Sequence, residues 1–376
     1  MSEGIRRSGA LLRPVLSIIA GLLIAAIVIQ ASHYNALEAF SSLWTGATGL
    51  QAGAASGPSQ VPLGSGHLNL YQLAQSLAKV TPLIFTGLAI ALGLRAGLFN
   101  IGAGGQMLVG ALAAALVGQI GQNGHAEATN GTLPSSLHVP LTLLAGFAAG
   151  AAWGAIPGWL KARRGVHEVI STIMLNFVAQ FVITYLVQHN LKDPSPGNES
   201  AQTAIIAKSA WLWPYVPHSV LTFGLPLAVL SAVAMALLIQ RTALGFQIRA
   251  VGLGAEAARA AGIPVPRITI LTLALSGGLA GLAGAVEVMG VHHRYVEGVA
   301  GTYGFDGIAV ALLGSLGGGG VVLSALFFGL LANGATFMQS MSGVPAPISD
   351  IMQAMVILFV GVRYWGRFLE RRKEDG

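Results

Sequence analysis

The sequence has 376 residues, of which 54% are hydrophobic and only 9% charged, with 51 glycines, no cysteine and a formal net charge of +6. Soluble domains carry about 25% charged residues, so this chain lacks the charge to clothe a soluble particle of its length. Composition therefore overrides the roughly two or three soluble domains that length alone would suggest, and the fold class is all-α, a polytopic membrane protein. The missing cysteines exclude a disulfide framework, a thiolate metal site and a cysteine nucleophile.

A membrane crossing needs about 20 mostly apolar residues. After an amino-terminal tail at 1–13, the membrane domain runs over 14–366, with spans predicted at 14–30, 73–94, 99–121, 139–160, 167–189, 220–240, 268–291, 306–317, 320–340 and 350–366, about ten in all. The first is read as an uncleaved anchor. Near the end, Gly317-Gly318-Gly319-Gly320 divides an apolar run too long for one crossing, giving two spans or two half-spans. Segment 31–69 has neither Lys nor Arg and contains a small-residue stretch from Gly53 to Gly66, which marks an external loop. Segment 190–219, with Trp211, Trp213 and Tyr215 near its end, reads as a second external loop closed by an interfacial aromatic belt. The connector 241–267 is short, basic and helix-compatible from Ala255 to Ala261, and a tail at 367–376 closes the chain.

Charge placement sets the orientation. One side of this topology collects Arg6, Arg7, Arg13, Arg95, Lys161, Arg163 and Arg164, then Arg241, Arg249, Arg259 and Arg267, and finally Arg363, Arg367, Arg371, Arg372 and Lys373. The other side receives Lys192, Lys208 and Arg294, and Lys79 falls inside a span. Positive-inside bias puts both termini in the cytoplasm. Because the basic residues sit at separate helix ends and form no patch with interleaved aromatics, no nucleic-acid partner is expected.

Motifs for soluble chemistry are missing. No Gly-Lys dipeptide occurs, so the chain has no Walker A loop for ATP phosphates. His167-Glu168-Val169-Ile170-Ser171 opens like a zinc-protease motif but ends in Ser, which removes the second imidazole. Nothing resembles an acid–base or nucleophile set, so no catalytic and no metal residues are assigned, and the chain is expected to be a transport subunit, not an enzyme. Lys79 and Glu287 alone fall clearly within predicted spans, few for an ion-coupled carrier, whose ion path usually shows buried acids or histidines. A polar solute moved without such a relay draws its energy from a partner.

Several blocks resemble the permeases of ATP-binding-cassette importers in the branched-chain amino acid and ribose superfamily, and its nucleoside-type branch in particular. They are Gly97-Leu-Phe-Asn-Ile-Gly-Ala-Gly-Gly-Gln-Met-Leu-Val-Gly-Ala111, His167-Glu-Val-Ile-Ser-Thr-Ile-Met-Leu-Asn-Phe-Val178, Tyr303-Gly-Phe-Asp-Gly-Ile-Ala-Val-Ala-Leu-Leu-Gly314, and Gly245–Gly262 followed by Leu275-Ser-Gly-Gly-Leu-Ala-Gly-Leu-Ala-Gly284. The likeness covers roughly 70–366, with His167 standing where that branch has Asn. The resemblance implies a bacterial inner-membrane permease importing nucleosides or related purine or pyrimidine compounds by alternating access. Its implied partners are a second homologous permease, a cytoplasmic ATPase carrying ATP and Mg, and an external solute-binding lipoprotein; this chain itself holds no cofactor. A sugar or branched-chain amino acid permease, or an ion-coupled carrier using Lys79 and Glu287, are the alternatives.

Within the connector, Glu256-Ala257-Ala258 followed by Gly262 resembles the E-A-A-x-x-x-G core of importer coupling loops. A short helix there would lay an Ala face into an ATPase groove, with Arg249 and Arg259 pairing with carboxylates at its rim; the alternative is a basic helix lying on anionic membrane lipid. Asn100, Gln106 and Asn176 are candidates for a translocation path for a small polar solute, or for amides bonding across packed helices. Gly102, Gly104 and Gly105 are read as packing residues, and Glu168 as a cap at a helix start, where the dipole favours an anion. Lys79 and Glu287 lie at depths of about 9 and 6 Å from the same side and are expected either to pair near the outer vestibule or to snorkel separately. Spans two to five and seven to ten would be inverted repeats, with Gly97–Asn100 and Gly304–Gly307 at comparable helix starts on opposite faces.

Overall fold

A computed structural model describes residues 19, 21–52, 60–63, 66–121, 129–195, 200–215, 219–345, 347–348, 350–352, 354–355 and 358. Both tails, most of the predicted span at 350–366 and the start of that at 14–30 lie outside the described residues, as do Arg6, Arg7, Arg13, Arg363, Arg367, Arg371, Arg372 and Lys373.

The helices are α1 (Gly21–Ala31), α2 (Ala36–Thr48), α3 (Leu70–Arg95), α4 (Ala103–Gly118), α5 (Ser135–Arg164), α6 (Glu168–His189), α7 (Gly224–Arg241), α8 (Ala243–Leu253), α9 (Ala255–Ala260), α10 (Val265–Glu287), α11 (Tyr303–Leu313) and α12 (Gly318–Ser342). Among the described residues six are long and apolar enough to cross a membrane: α3, α5, α6, α7, α12, and α10 with its continuation to His292. The chain is a polytopic membrane protein, and these helices fall where uninterrupted apolar runs predict them.

The loop predicted over 31–69 carries more structure than expected. Asn35 caps α2 by accepting from the backbone N–H groups of Leu37 and Glu38, at 3.1 and 3.4 Å. After α2 come β1 (Leu50–Ala52), β2 (Gln60–Leu63) and β3 (Gly66–Asn69), an antiparallel sheet of order β1-β3-β2 with Leu68 opposite both Leu50 and Val61. Strands of three and four residues are too short for alternation to announce them.

Two compact units divide the chain: Met1–Lys79 with Leu326–Gly376, and Val80–Ala325. The first has an apolar core of Ala25, Ile29, Ala39, Leu43, Leu331 and Met338. There Asn333 donates to Gly46 O at 2.8 Å and Ser76 Oγ at 2.9 Å, and Ser76 donates to Ala47 O at 2.7 Å.

The second unit is organised by glycine. Gly146, Gly150, Gly154 and Gly158 follow one another at i, i+4 on α5, so they share one face. That face meets Gly277 and Gly281 of α10 with backbone against backbone: a Cβ built on Gly154 would lie 3.0 Å from Gly277 Cα, and one on Gly281 3.0 Å from Gly150 Cα. Small residues at such spacing let helices approach closely in lipid. Helix α4 joins the same contact, because Gly110 faces Gly281.

Predicted span three is shortened, and the short span predicted at 306–317 is found three residues earlier as α11. Helix α4 has 16 residues and α11 has 11, about 24 and 16 Å. Their starts, expected on opposite faces, meet instead: a Cβ on Gly304 would be 2.7 Å from Gly104 Cα. The reason is that residues 96–102 are not helical and turn back beside α3, where Leu98 N–H donates to Gly93 O at 3.0 Å. Gly307 of α11 likewise packs on Thr86, well inside α3. The two short helices thus start together; the far end of α4 packs at Gly118 on Ile206, and Leu316, just past α11, accepts from Arg95 at 3.1 and 3.3 Å.

Candidate functional site

The connector between α7 and α10 holds two helices where one was expected. Thr242 starts α8: its hydroxyl donates to Leu238 O at 2.7 Å and accepts from Gly245 N–H at 3.0 Å, an N-cap arrangement. Helix α9 occupies the predicted position. Its only buried side chain is Ala258, while Ala257 is exposed. Past α9 the chain closes with Gly262 N–H on Arg259 O and Ile263 N–H on Ala258 O, both at 3.0 Å, and Gly262 has φ +80, a left-handed position that suits glycine.

Between α8 and α9 lies an open cleft of about 650 Å³, lined by Phe246, Arg249, Ala250, Leu253, Ala257 and Ala261 among others. Leu253 is 91% exposed and Phe246 60%. Both sit at an i, i+7 spacing that returns to one helix face, a signal legible in the sequence. Arg259 spends its guanidinium on both oxygens of Glu256, at 2.8 Å each. Arg249 is half-buried, and its Nε has no hydrogen-bond partner among the described residues.

The candidate path amides form a buried cluster at the break before α4. Asn100 donates to Gln106 Oε1 at 2.8 Å and Ser276 Oγ at 2.7 Å; Gln106 donates back to Asn100 Oδ1 at 3.1 Å; and Gly102 N–H donates to the same oxygen at 3.0 Å. Ser276 passes the chain on to Ala89 O at 2.6 Å. Asn176 accepts from Gly105 N–H at 2.8 Å and donates to Ile101 O at 2.9 Å. Asn100 and Gln106 are each 1% exposed. These amides satisfy one another and the backbone left unpaired by the break, so they brace the non-helical turn. Gly102 and Gly105 make room for this: a Cβ on Gly105 would lie 2.9 Å from Asn176 Oδ1.

Glu168 opens α6, is buried, and is paired with Lys161 from the last turn of α5, with His167 Nδ1 3.8 Å away. Lys79 belongs to the first unit, where it donates to Ala332 O at 3.2 Å and Thr336 Oγ1 at 3.0 Å. Glu287 belongs to the second, 5% exposed, with His292 Nε2 at 3.7 Å. Each has a polar neighbour within its own unit.

Among the described residues no group of three or more His, Asp or Glu side chains is placed to hold a metal.

Comparison with known proteins joins this geometry to a family. The family model described as "Branched-chain amino acid transport system / permease component" matches residues 72–361. The guanosine ABC transporter permease protein NupP of Bacillus subtilis is 38% identical over 366 residues, covering 97% of each chain. The nucleoside ABC transporter permease protein NupB of Lactococcus lactis is 34% identical, covering 93% of this chain and 90% of its own. The glucose ABC transporter permease protein TsgB13 of Haloferax volcanii is 35% identical, with 92% and 86% covered. No solved structure matches significantly. A multi-pass membrane protein with this sequence over this span belongs to the branched-chain amino acid transport system permease family.

Proposed function

We propose that this chain is the membrane-spanning subunit of an ATP-driven importer of nucleosides or related purine and pyrimidine compounds. The observation that carries the reading is its likeness, over nearly its whole length, to permeases named for guanosine and for nucleosides. Solute crosses by alternating access at the axis between this permease and a second, homologous one, in a bacterial inner membrane with both termini in the cytoplasm. An external lipoprotein delivers the solute. A cytoplasmic ATPase binds and hydrolyses ATP with its Mg, and this subunit contributes no cofactor.

The α8–α9 connector is the surface that receives the ATPase. Its exposed Phe246 and Leu253 border a shallow apolar cleft beside Ala257, the form of a helix-in-groove contact. Glu256 and Arg259 hold each other across one turn of α9, at 2.8 Å. Arg249, half-buried at the cleft, is the cation left to meet an ATPase carboxylate. An ion-coupled carrier is disfavoured by the family and by Lys79 and Glu287, each of which has a polar neighbour in its own unit.

A sugar importer is the second reading, favoured by the glucose permease at 35% identity. Reconstitution of the complete transporter in proteoliposomes with internal ATP separates the two. Uptake of guanosine, adenosine or uridine, insensitive to collapse of proton and sodium gradients, is expected. Uptake of glucose or ribose in preference to any nucleoside overturns the solute assignment, and uptake by this chain alone on an ion gradient overturns the mechanism.

A further inference from the structure

On the second unit, the segment after α6 folds back over the end of α10. Ile206 N–H donates to His293 O at 2.8 Å, Leu212 N–H to Met289 O at 3.0 Å, and Thr203 N–H to Tyr295 O at 3.0 Å. Asp193 adds an ion pair to Arg294 at 3.1 Å. Within this clasp is a cavity of about 250 Å³ walled by Trp211, Trp213, Pro214 and His293, with Lys208 and Thr222 among its polar groups. By the topology read from the basic residues, it opens on the external side.

Four features set this cavity apart from an ordinary interfacial aromatic belt. Trp211 stacks on His293, ring centroids 3.8 Å apart and planes within 13°, and the indole is fixed because its N–H donates to Ile206 O at 3.2 Å. His293 Nδ1 is buried and makes no hydrogen bond of ordinary geometry among the described residues, the ring having only a weaker interaction with the Met289 backbone; such a nitrogen in a folded protein calls for an explanation, a ligand among them. The backbone is unusual here: residues Val288–His292 form a π-turn and His293 has φ 53. Both a π-turn and a non-glycine residue in the left-handed region cluster at functional sites. Finally, Gly290 lets the Thr222 side of the cavity close directly onto the backbone, since a Cβ there would come 2.7 Å from Thr222 Oγ1.

We propose that this aromatic pocket is an outer binding site for the base of the solute, a planar nitrogen heterocycle, occupied before the solute enters the passage. It deepens the nucleoside reading and rests on it. A base stacks on tryptophan because every base has a π-face, and its edge offers donors and acceptors better placed for the imidazole than the weakly held Met289 backbone. Burial lowers His293 to about pKa 4, so at neutral pH the ring is uncharged and can accept or donate one hydrogen bond. The cavity is smaller than the roughly 300–1,000 Å³ of clefts for drug-sized ligands, which suits a base inside with its ribose towards the mouth.

The test is equilibrium binding to the complete transporter, without its external receptor, in nanodiscs. Guanosine and adenosine should bind saturably and quench tryptophan fluorescence, and ribose and glucose should do neither. Trp213→Ala, at a position 67% exposed and so tolerant of truncation, should weaken nucleoside binding at least tenfold, and His293→Leu should weaken it comparably. Nucleoside binding unchanged in both variants overturns the site, as does ribose binding as tightly as a nucleoside. A third contrary result is quenching of Trp213 by brominated lipid that nucleoside does not relieve, which would make the pocket a lipid contact. Receptor-dependent uptake is measured in parallel: nucleoside uptake without binding in this pocket overturns the site alone, whereas glucose uptake in preference to nucleosides overturns the functional reading beneath it.

Discussion

The α4–α5–α10 packing and the α8–α9 connector are made from the same small residues and use them in opposite ways. On α5 and α10, glycine brings backbone onto backbone, and the contact at Gly281 leaves no room for a side chain. In the connector, a Cβ on Gly262 would meet nothing within 4 Å, Ala257 is exposed, and the large side chains nearby, Phe246 and Leu253, project outward. Glycine and alanine by themselves therefore do not tell a locked helix contact from a thin surface prepared for a partner. The neighbours decide: backbone on the far side makes a lock, and empty space beside exposed apolar side chains makes a docking face.

Substitutions that reverse the two uses should separate them. The largest effect is expected in the lock. Gly281→Leu must push apart α5 and α10, and overpacking that typically costs about 1–3 kcal/mol falls here on backbone that cannot yield. Little monodisperse protein should be recovered from membranes, and a normal yield would show that the glycine contact is dispensable. In the connector, Leu253→Asp should leave thermal stability nearly unchanged, because surface changes stay within about 0.5 kcal/mol, yet lower ATP-driven uptake at least tenfold. Gly262→Trp should do the same to uptake, with Gly262→Asn milder because Asn tolerates the left-handed backbone; normal uptake in Gly262→Trp would remove the connector from coupling.

A smaller effect is expected at the amide cluster. Asn100→Ala leaves Gln106 and Ser276 short of a partner, which costs about 1–3 kcal/mol for a buried polar group. Lowered melting temperature with unchanged solute preference would fit bracing, whereas a changed preference at unchanged stability would return Asn100 to the solute path. Smallest of all is the coupling of Lys79→Met with Glu287→Gln. Each residue has a polar neighbour in its own unit, so a double-mutant cycle on stability and uptake should be additive within about 0.5 kcal/mol; a larger interaction would favour the vestibule pair over separate snorkelling.

Most of the helical framework was legible in the sequence because long apolar runs have few other fates. Helices α3, α5, α6, α7 and α10 fall close to their predicted spans, and α9 falls at Ala255–Ala260 inside the predicted Ala255–Ala261. What escaped was decided by contacts distant in sequence. The shared start of α4 and α11 depends on Gly104 meeting Gly304, two hundred positions apart in the chain. The hydrogen-bond partners of Asn100 and Lys79 are equally remote in the chain, Ser276 for the first and Ala332 and Thr336 for the second. Helix α8 carries apolar residues on two faces, Ile248 and Val251 buried and Phe246 and Leu253 exposed, which blurs the one-sided pattern of a half-buried helix.

The most direct test of the account is a cross-linking measurement on the docking face. Because the chain has no cysteine, Leu253→Cys introduces a single thiol, and Leu230→Cys on α7, also exposed at 63%, provides a control. With a short thiol-to-amine cross-linker in membranes containing the complete transporter, Leu253→Cys should join this chain to the ATPase, with a yield that changes when ATP is bound, and Leu230→Cys should not. Equal cross-linking at both positions, or none at Leu253→Cys while uptake persists, would contradict the connector as the surface through which ATP hydrolysis drives transport.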